Sequence, residues 1–159
     1  MQSILKLLKN DGRLDARRLA VILGTTEDDV AAKIKQLEKD HIIIGYTALI
    51  DWEKTSEEMV TALIEVQVTP QRGEGFEGIA ERIYQFDEVE SLYLMSGGYD
   101  FAVTIVGKSM KDVAQFVATK LSTVDGVRGT ATHFILKKYK ESGVLFDVQE
   151  LKQEPSYQL

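Results

Sequence analysis

The 159-residue sequence has no cysteine, two prolines, two histidines and one tryptophan. Without cysteine there are no disulfides and no thiolate metal sites, and the chain suits a reducing, cytoplasmic setting. The two histidines, His41 and His133, are far apart and have no second histidine or carboxylate at ligand spacing. No metal, cofactor or histidine-based acid–base centre is expected from them. No apolar run approaches the roughly 20 residues that span a bilayer, so no membrane partner is expected. The opening stretch MQSILKLLKNDGR is too short, and beyond Leu8 too polar, for a secretory signal. What remains is globular: 44% hydrophobic and 28% charged residues, in a length that admits one ordinary domain or two small ones.

The net charge of −6 argues against a protein that coats nucleic acid by bulk electrostatics. The charge is uneven, however. Residues 1–50 hold eight Lys/Arg and seven Asp/Glu, whereas the remainder holds 11 and 18. A near-neutral head on an acidic body fits a DNA-reading head joined to a body with another task.

Three helical patterns occupy that head. Ile4, Leu5, Leu7 and Leu8 share one side of the first, which stops at Asn10-Asp11-Gly12. The second follows Asp15 as N-cap, presents Leu19, Ile22 and Leu23, and ends at Gly24. The third follows Thr25 and Thr26, either of which can cap it. Its first turn is acidic (Glu27, Asp28, Asp29), as the helix dipole favours, and its stripe is Val30, Ile34 and Leu37. Ala20, Gly24 and Val30 have the spacing of a helix-turn-helix. There, a small residue sits where the helices cross, a glycine takes the turn, and an apolar residue anchors the second helix. Residues 42–50 are β-branched and strand-like, and are expected to form a wing.

From Val60 the apolar period changes to two, with Ala62, Ile64, Val66 and Val68 on one side. A helix on Phe76, Ile79, Ala80 and Ile83 follows, then strands at Val89–Met95 and Phe101–Val106. Ser109 caps a helix on Met110, Val113, Ala114, Val117 and Leu121, and Val127–Leu136 is a fourth strand. The expected fold is therefore α+β: a winged helix-turn-helix over 1–50, a polar hinge over 51–59, and a ferredoxin-like βαββαβ domain over 60–140. With both helices on one face of the sheet, the other face is free, and a second subunit is its expected occupant. In the tail, 141–159, residues 144–148 have the pattern of an added edge strand.

Several segments, in this order and spacing, resemble the Lrp/AsnC family of bacterial and archaeal transcription regulators. In the head they are Asp11-Gly12-Arg13, Leu19-Ala20 with Gly24, Val30 to Glu38, and Ile43 with Gly45-Tyr46-Thr47. In the body they are Ser96-Gly97-Gly98-Tyr99-Asp100-Phe101, Asp125-Gly126-Val127 and Thr130-x-Thr132. The resemblance covers about residues 2 to 140. It implies dimers built through the βαββαβ domain, often assembled into rings, and effector sites between subunits near the glycine loop, frequently for amino acids.

On that basis Arg17, Arg18, Lys33 and Lys35 are candidate phosphate contacts, although lysines on a surface helix are commonly just solvated. Thr25, Thr26 and Gln36 are candidates for phosphate or base edges, with N-capping the plain alternative for the threonines. Gly97, Gly98, Tyr99 and Asp100 are the candidate effector loop. Glycine N–H groups can receive a carboxylate and Asp100 an ammonium; the plain alternative is a tight turn. Thr130 and Thr132 are candidates to line the same site, or ordinary β-formers. One departure bears on DNA: the family's usual recognition-helix arginine is Lys33 here, which lacks the fork that reads guanine. With three acids at the approaching helix end, weak or salt-sensitive binding per head is expected, recovered by multivalency. Two other readings compete. A tetrapyrrole-decarboxylase-like enzyme of this architecture would need a His/Arg cluster, and the body offers only His133, Arg72, Arg82 and Arg128. An assembly or sensing module that has lost DNA binding would share the body entirely.

Overall fold

The computed structural model describes residues 2–70 and 73–146, with side chains from Ile4 onward. Arg72 and the tail beyond residue 146 lie outside the described residues. The chain divides into two compact units, Met1–Ile50 and Asp51–Leu159.

The first unit holds α1 (Gln2–Asn10), α2 (Ala16–Leu23) and α3 (Glu27–Lys39). Local chemistry sets the boundaries. Asp15 Oδ1 accepts from the Arg18 N–H at 2.8 Å and starts α2. Gly24 ends it in the left-handed region, at φ 67°, and donates its N–H to the Ala20 carbonyl. Of the two threonines it is Thr26 that caps α3: its Oγ1 accepts from the Asp29 N–H at 3.2 Å and donates to Asp29 Oδ2 at 2.6 Å. Thr26→Ala is expected to destabilise this unit by about 1 kcal/mol, measured as a lower urea midpoint for its helical signal.

The core of this unit is Leu19, Ala20 and Val30, surrounded by Leu7, Leu8, Leu14, Leu23 and Ile34. Ile22, expected in the apolar stripe, is instead 56% exposed. At about 100° per residue, Ala16, Leu19, Ala20 and Leu23 define one arc, and Ile22 lies about 110° from its centre.

The expected wing does not form as a strand. Residues 44–50 carry no ladder among the described residues, and Ile44 is 90% exposed. β-Branched composition favours an extended chain, but a strand exists only when a second one pairs with it. The segment is tied down differently. Tyr46 donates its hydroxyl to Glu38 Oε1 at 3.1 Å, and its ring edge lies 3.6 Å from where a side chain at Gly12 would begin.

The second unit contains β1 (Val60–Val68), α4 (Gly75–Tyr84), β2 (Val89–Leu94), β3 (Phe101–Gly107), α5 (Met110–Thr119) and β4 (Val127–Phe134). The sheet is antiparallel in the order β2-β3-β1-β4, the ferredoxin-like arrangement expected from the alternation. Ala62, Ile64, Val66 and Val68 pack with Phe101, Val103 and Ile105 beneath Ile79 and Ile83 of α4 and Val113 and Phe116 of α5. Both helices therefore cover one face. The segment 51–59 carries a 3₁₀ turn, Trp52–Lys54, in which Lys54 pairs with Asp51 at 3.1 Å.

The uncovered face follows from the register. β1 presents Leu63, Glu65 and Gln67 there, opposite His133, Ala131 and Gly129 of β4. On the other side of β1 stand Thr104 and Ala102 of β3, and beyond them Ser91 and Tyr93 of β2. Among its described residues, 141–146, the tail does not extend this sheet, and 147–148 of the expected edge strand lie outside the described residues. Val144–Leu145 pairs with Lys140–Glu141 in a separate hairpin, because Ser142 and Gly143 both take positive φ (49° and 87°) and turn the chain back on itself.

Candidate functional site

In the first unit, Arg17 and Arg18 are exposed in the opening turn of α2, and Lys35 and Gln36 are exposed on α3, whereas Lys33 is half-buried. None of the four cations makes an ion pair among the described residues. Helix geometry separates the α3 candidates. Lys33 and Lys35 point about 160° apart: Lys33 shares a flank with Asp29 and Gln36, and Lys35 shares the outer stripe with Asp28, Ala32 and Lys39. Gln36 Nε2 donates to Asp40 Oδ1 at 2.8 Å. Thr25 Oγ1 donates to Asp29 Oδ2 at 3.4 Å, so both threonine hydroxyls meet Asp29. Asp29 is thus held in the cap, which leaves Glu27 and Asp28 as the acids free to face an approaching phosphate.

Tyr46 belongs to the Gly45-Tyr46-Thr47 match but is not among the candidate site residues, since nothing in its local pattern gives it a task. Burial and the Glu38 carboxylate raise its phenol above the ordinary tyrosine value. A raised value means that the native state holds the proton more tightly than the unfolded chain. The resulting stabilisation is complete below the ordinary value and is lost as pH rises through the native one. The first unit should therefore weaken above about pH 10, and Tyr46→Phe should remove that alkaline step in its melting temperature.

In the second unit, residues 95–100 link β2 to β3. The Met95 N–H donates to the Asp100 carbonyl at 2.8 Å and the Asp100 N–H to the Val66 carbonyl at 3.0 Å. Asp100 Oδ2 accepts from the Val68 N–H at 2.8 Å, just past Val66–Phe101, the last pair of the β1–β3 ladder. Its Oδ1 has no donor among the described residues. Gly97 has φ 145°, outside the range most side chains adopt. The N–H groups of Gly97, Gly98 and Tyr99 donate to no described residue. Gln67 Nε2 donates to the Gly98 carbonyl at 3.4 Å.

Thr130 and Thr132 do share a side, but it is the helix-covered face, in register with Val66 and Ile64. They are separated from the loop by the width of β1, because the loop continues into β3 on the opposite edge of that strand. A single chain does not bring them to the glycines. A groove of about 520 Å³ lies between α4 and β2, lined by Phe76, Tyr84, Leu92, Leu94 and Phe101, with Glu77 and Glu90 on its walls. Leu94 and Phe101 are the last paired residues before the loop.

Of the residues that the enzyme reading requires, Arg72 lies outside the described residues, and Arg82 and His133 face carboxylates. Arg82 binds Glu74 through both terminal nitrogens at 3.0–3.1 Å and holds that carboxyl below its ordinary value. His133 lies 3.4 Å from Glu65, and Arg128 is the bulged residue of β4, without a register partner.

Similarity to known proteins falls on the same elements. Residues 61–145 match the Lrp/AsnC ligand binding domain. The HTH-type transcriptional regulator YugG of Bacillus subtilis is 54% identical over 145 residues, 91% of this chain and 87% of that protein. The HTH-type transcriptional regulator LrpA of Pyrococcus abyssi is 34% identical, over 86% and 94% of the two chains. A Neisseria meningitidis transcriptional regulator solved in complex with L-Met superposes with TM-score 0.72 at 26% identity, over 87% of this chain and 88% of that one. A helix-turn-helix followed by a ligand-binding α/β sandwich defines the class as HTH-type transcriptional regulator. Within that class, the chain belongs to the Lrp/AsnC family.

Proposed function

We infer that this chain binds double-stranded DNA as a homodimer or larger homo-oligomer and responds to a small effector, an α-amino acid with an apolar side chain. Residues 1–50 are the DNA-reading head, 51–59 the hinge, and 60–140 the sensing and assembly domain. The observation that carries this reading is the union, in one chain, of a capped helix-turn-helix bearing cations with a loop of N–H groups beside a carboxylate, both without partners among the described residues. Arg17, Arg18 and Lys35 supply phosphate contacts, with Lys33, Gln36, Thr25 and Thr26 at their flanks.

At the loop, the N–H groups of Gly97, Gly98 and Tyr99 receive the effector's carboxylate, and Asp100 Oδ1 receives its ammonium. The adjoining groove accepts the side chain, and its aromatic and aliphatic lining favours an apolar one. The relative solved with L-Met supports that choice of class. Thr130 and Thr132 face their own helices and stay outside this site. A second subunit covers the open sheet face, which offers few charges in an otherwise highly charged chain.

A gel shift on the gene's own upstream region at low salt tests the DNA reading; no shift, with or without amino acids, sinks it. Thermal shift across the standard amino acids tests the effector, since a ligand that binds the native state raises the melting temperature. Asp100→Asn keeps an oxygen for the Val68 N–H while removing the charge. It should fold and lose most of the ligand-induced shift, and an unchanged shift would remove Asp100 from the site.

A further inference from the structure

We propose that assembly through the open sheet face takes up protons, with His133 and Glu65 as the proton-binding pair. The inference rests on the reading that a second copy covers this face. His133 of β4 stands directly opposite Leu63 of β1, and Glu65 is its diagonal neighbour, with Nε2 and Oε1 3.4 Å apart. In the free subunit the two side chains are 57% and 38% accessible, and an exposed pair of this kind contributes little.

Covering the face changes that balance. A carboxylate shut away from water beside a neutral imidazole has no countercharge, whereas a protonated imidazole supplies one. Protonated His133 therefore favours the assembled form, and the sign follows: assembly tightens on the acidic side of the histidine range and loosens on the alkaline side. A two-fold assembly brings two such pairs, so the effect counts twice.

The other groups on the face do not compete. Within the paired register β3 contributes Ala102, Thr104 and Val106, none of them ionisable. β2 contributes the Tyr93 phenol, and Arg128 stands at the bulge of β4. Phenols and guanidinium groups keep their charge state between about pH 6 and 8. The other histidine, His41, belongs to the first unit and serves as the control.

The test is the dimer dissociation constant by fluorescence-detected sedimentation from pH 6 to pH 8, for the full chain and for His133→Gln, Glu65→Gln and His41→Gln. The wild type should bind about tenfold or more tightly at pH 6. His133→Gln should flatten the dependence, and His41→Gln should leave it intact. Glu65→Gln should reverse it, because a protonated imidazole would then be buried without its partner. General charge repulsion predicts no reversal, so that variant separates the two causes. A constant that does not vary with pH, or a dependence that survives His133→Gln, overturns the proposal. A chain that stays monomeric throughout overturns the second-copy reading itself.

Discussion

Leu19→Ala should leave the N-terminal unit largely unfolded while the ligand-binding unit stays folded. Leu19 is fully buried and is one of three residues at the centre of a fifty-residue unit. Truncating such a side chain costs about 2–5 kcal/mol, through lost transfer free energy and the cavity left behind. A unit this small has little stability in reserve. Circular dichroism should show a loss of helix equivalent to α1–α3, and amide exchange should show retained protection of β1 and β3. The control lies on the same helix. Ile22→Ala removes a comparable side chain from an exposed position and should change stability by no more than about 0.5 kcal/mol. Equal effects at the two positions would refute the packing described for α2.

The second large effect concerns DNA. Replacing Arg17, Arg18 and Lys35 together by alanine should weaken operator binding by on the order of 10²-fold near physiological salt. The logarithmic salt slope should become shallower by about 0.9 for each phosphate that is no longer neutralised. Lys33→Ala should matter less than Lys35→Ala, because Lys33 is half-buried on a different flank of α3. The acids predict the opposite sign. Asp28→Asn removes an exposed negative charge from the outer stripe and should tighten binding several-fold. Asp29→Asn should not do so cleanly, because Asp29 is tied to Thr26 and Thr25 in the cap. A gel-shift series at several salt concentrations reads all of these variants. If Lys33→Ala proves the more damaging of the two lysine changes, α3 does not present its Lys35 stripe to the duplex.

Much of this molecule was legible residue by residue wherever the determining interaction is local. Asp15, Thr26 and Ser109 each satisfy a free N–H of the helix they precede, and that chemistry acts over three residues. Gly24 ends α2 because only its own backbone has to tolerate positive φ. The alternation in β1 specifies its buried side before any partner strand is known, since successive side chains point to opposite faces. Each of these depends on one residue and its near neighbours.

The rest depended on what lies opposite. The side of α2 that is buried was decided by the helices packed on it, which is why Ile22 is exposed and Ala20 is not. Residues 44–50 have the composition of a strand, yet pairing needs a second segment at the right distance, and composition does not supply one. The same holds for Val144–Leu145, whose partner was settled by the turn at Ser142 and Gly143. In the candidate site, local pattern marked the Gly97–Asp100 loop and set Thr130 and Thr132 on a common side. The pairing of distant strands placed β1 between them and turned one oxygen of Asp100 toward Val68. Local interactions are written in neighbouring residues; register and facing partners are settled only when distant segments meet and compete for the same buried surface.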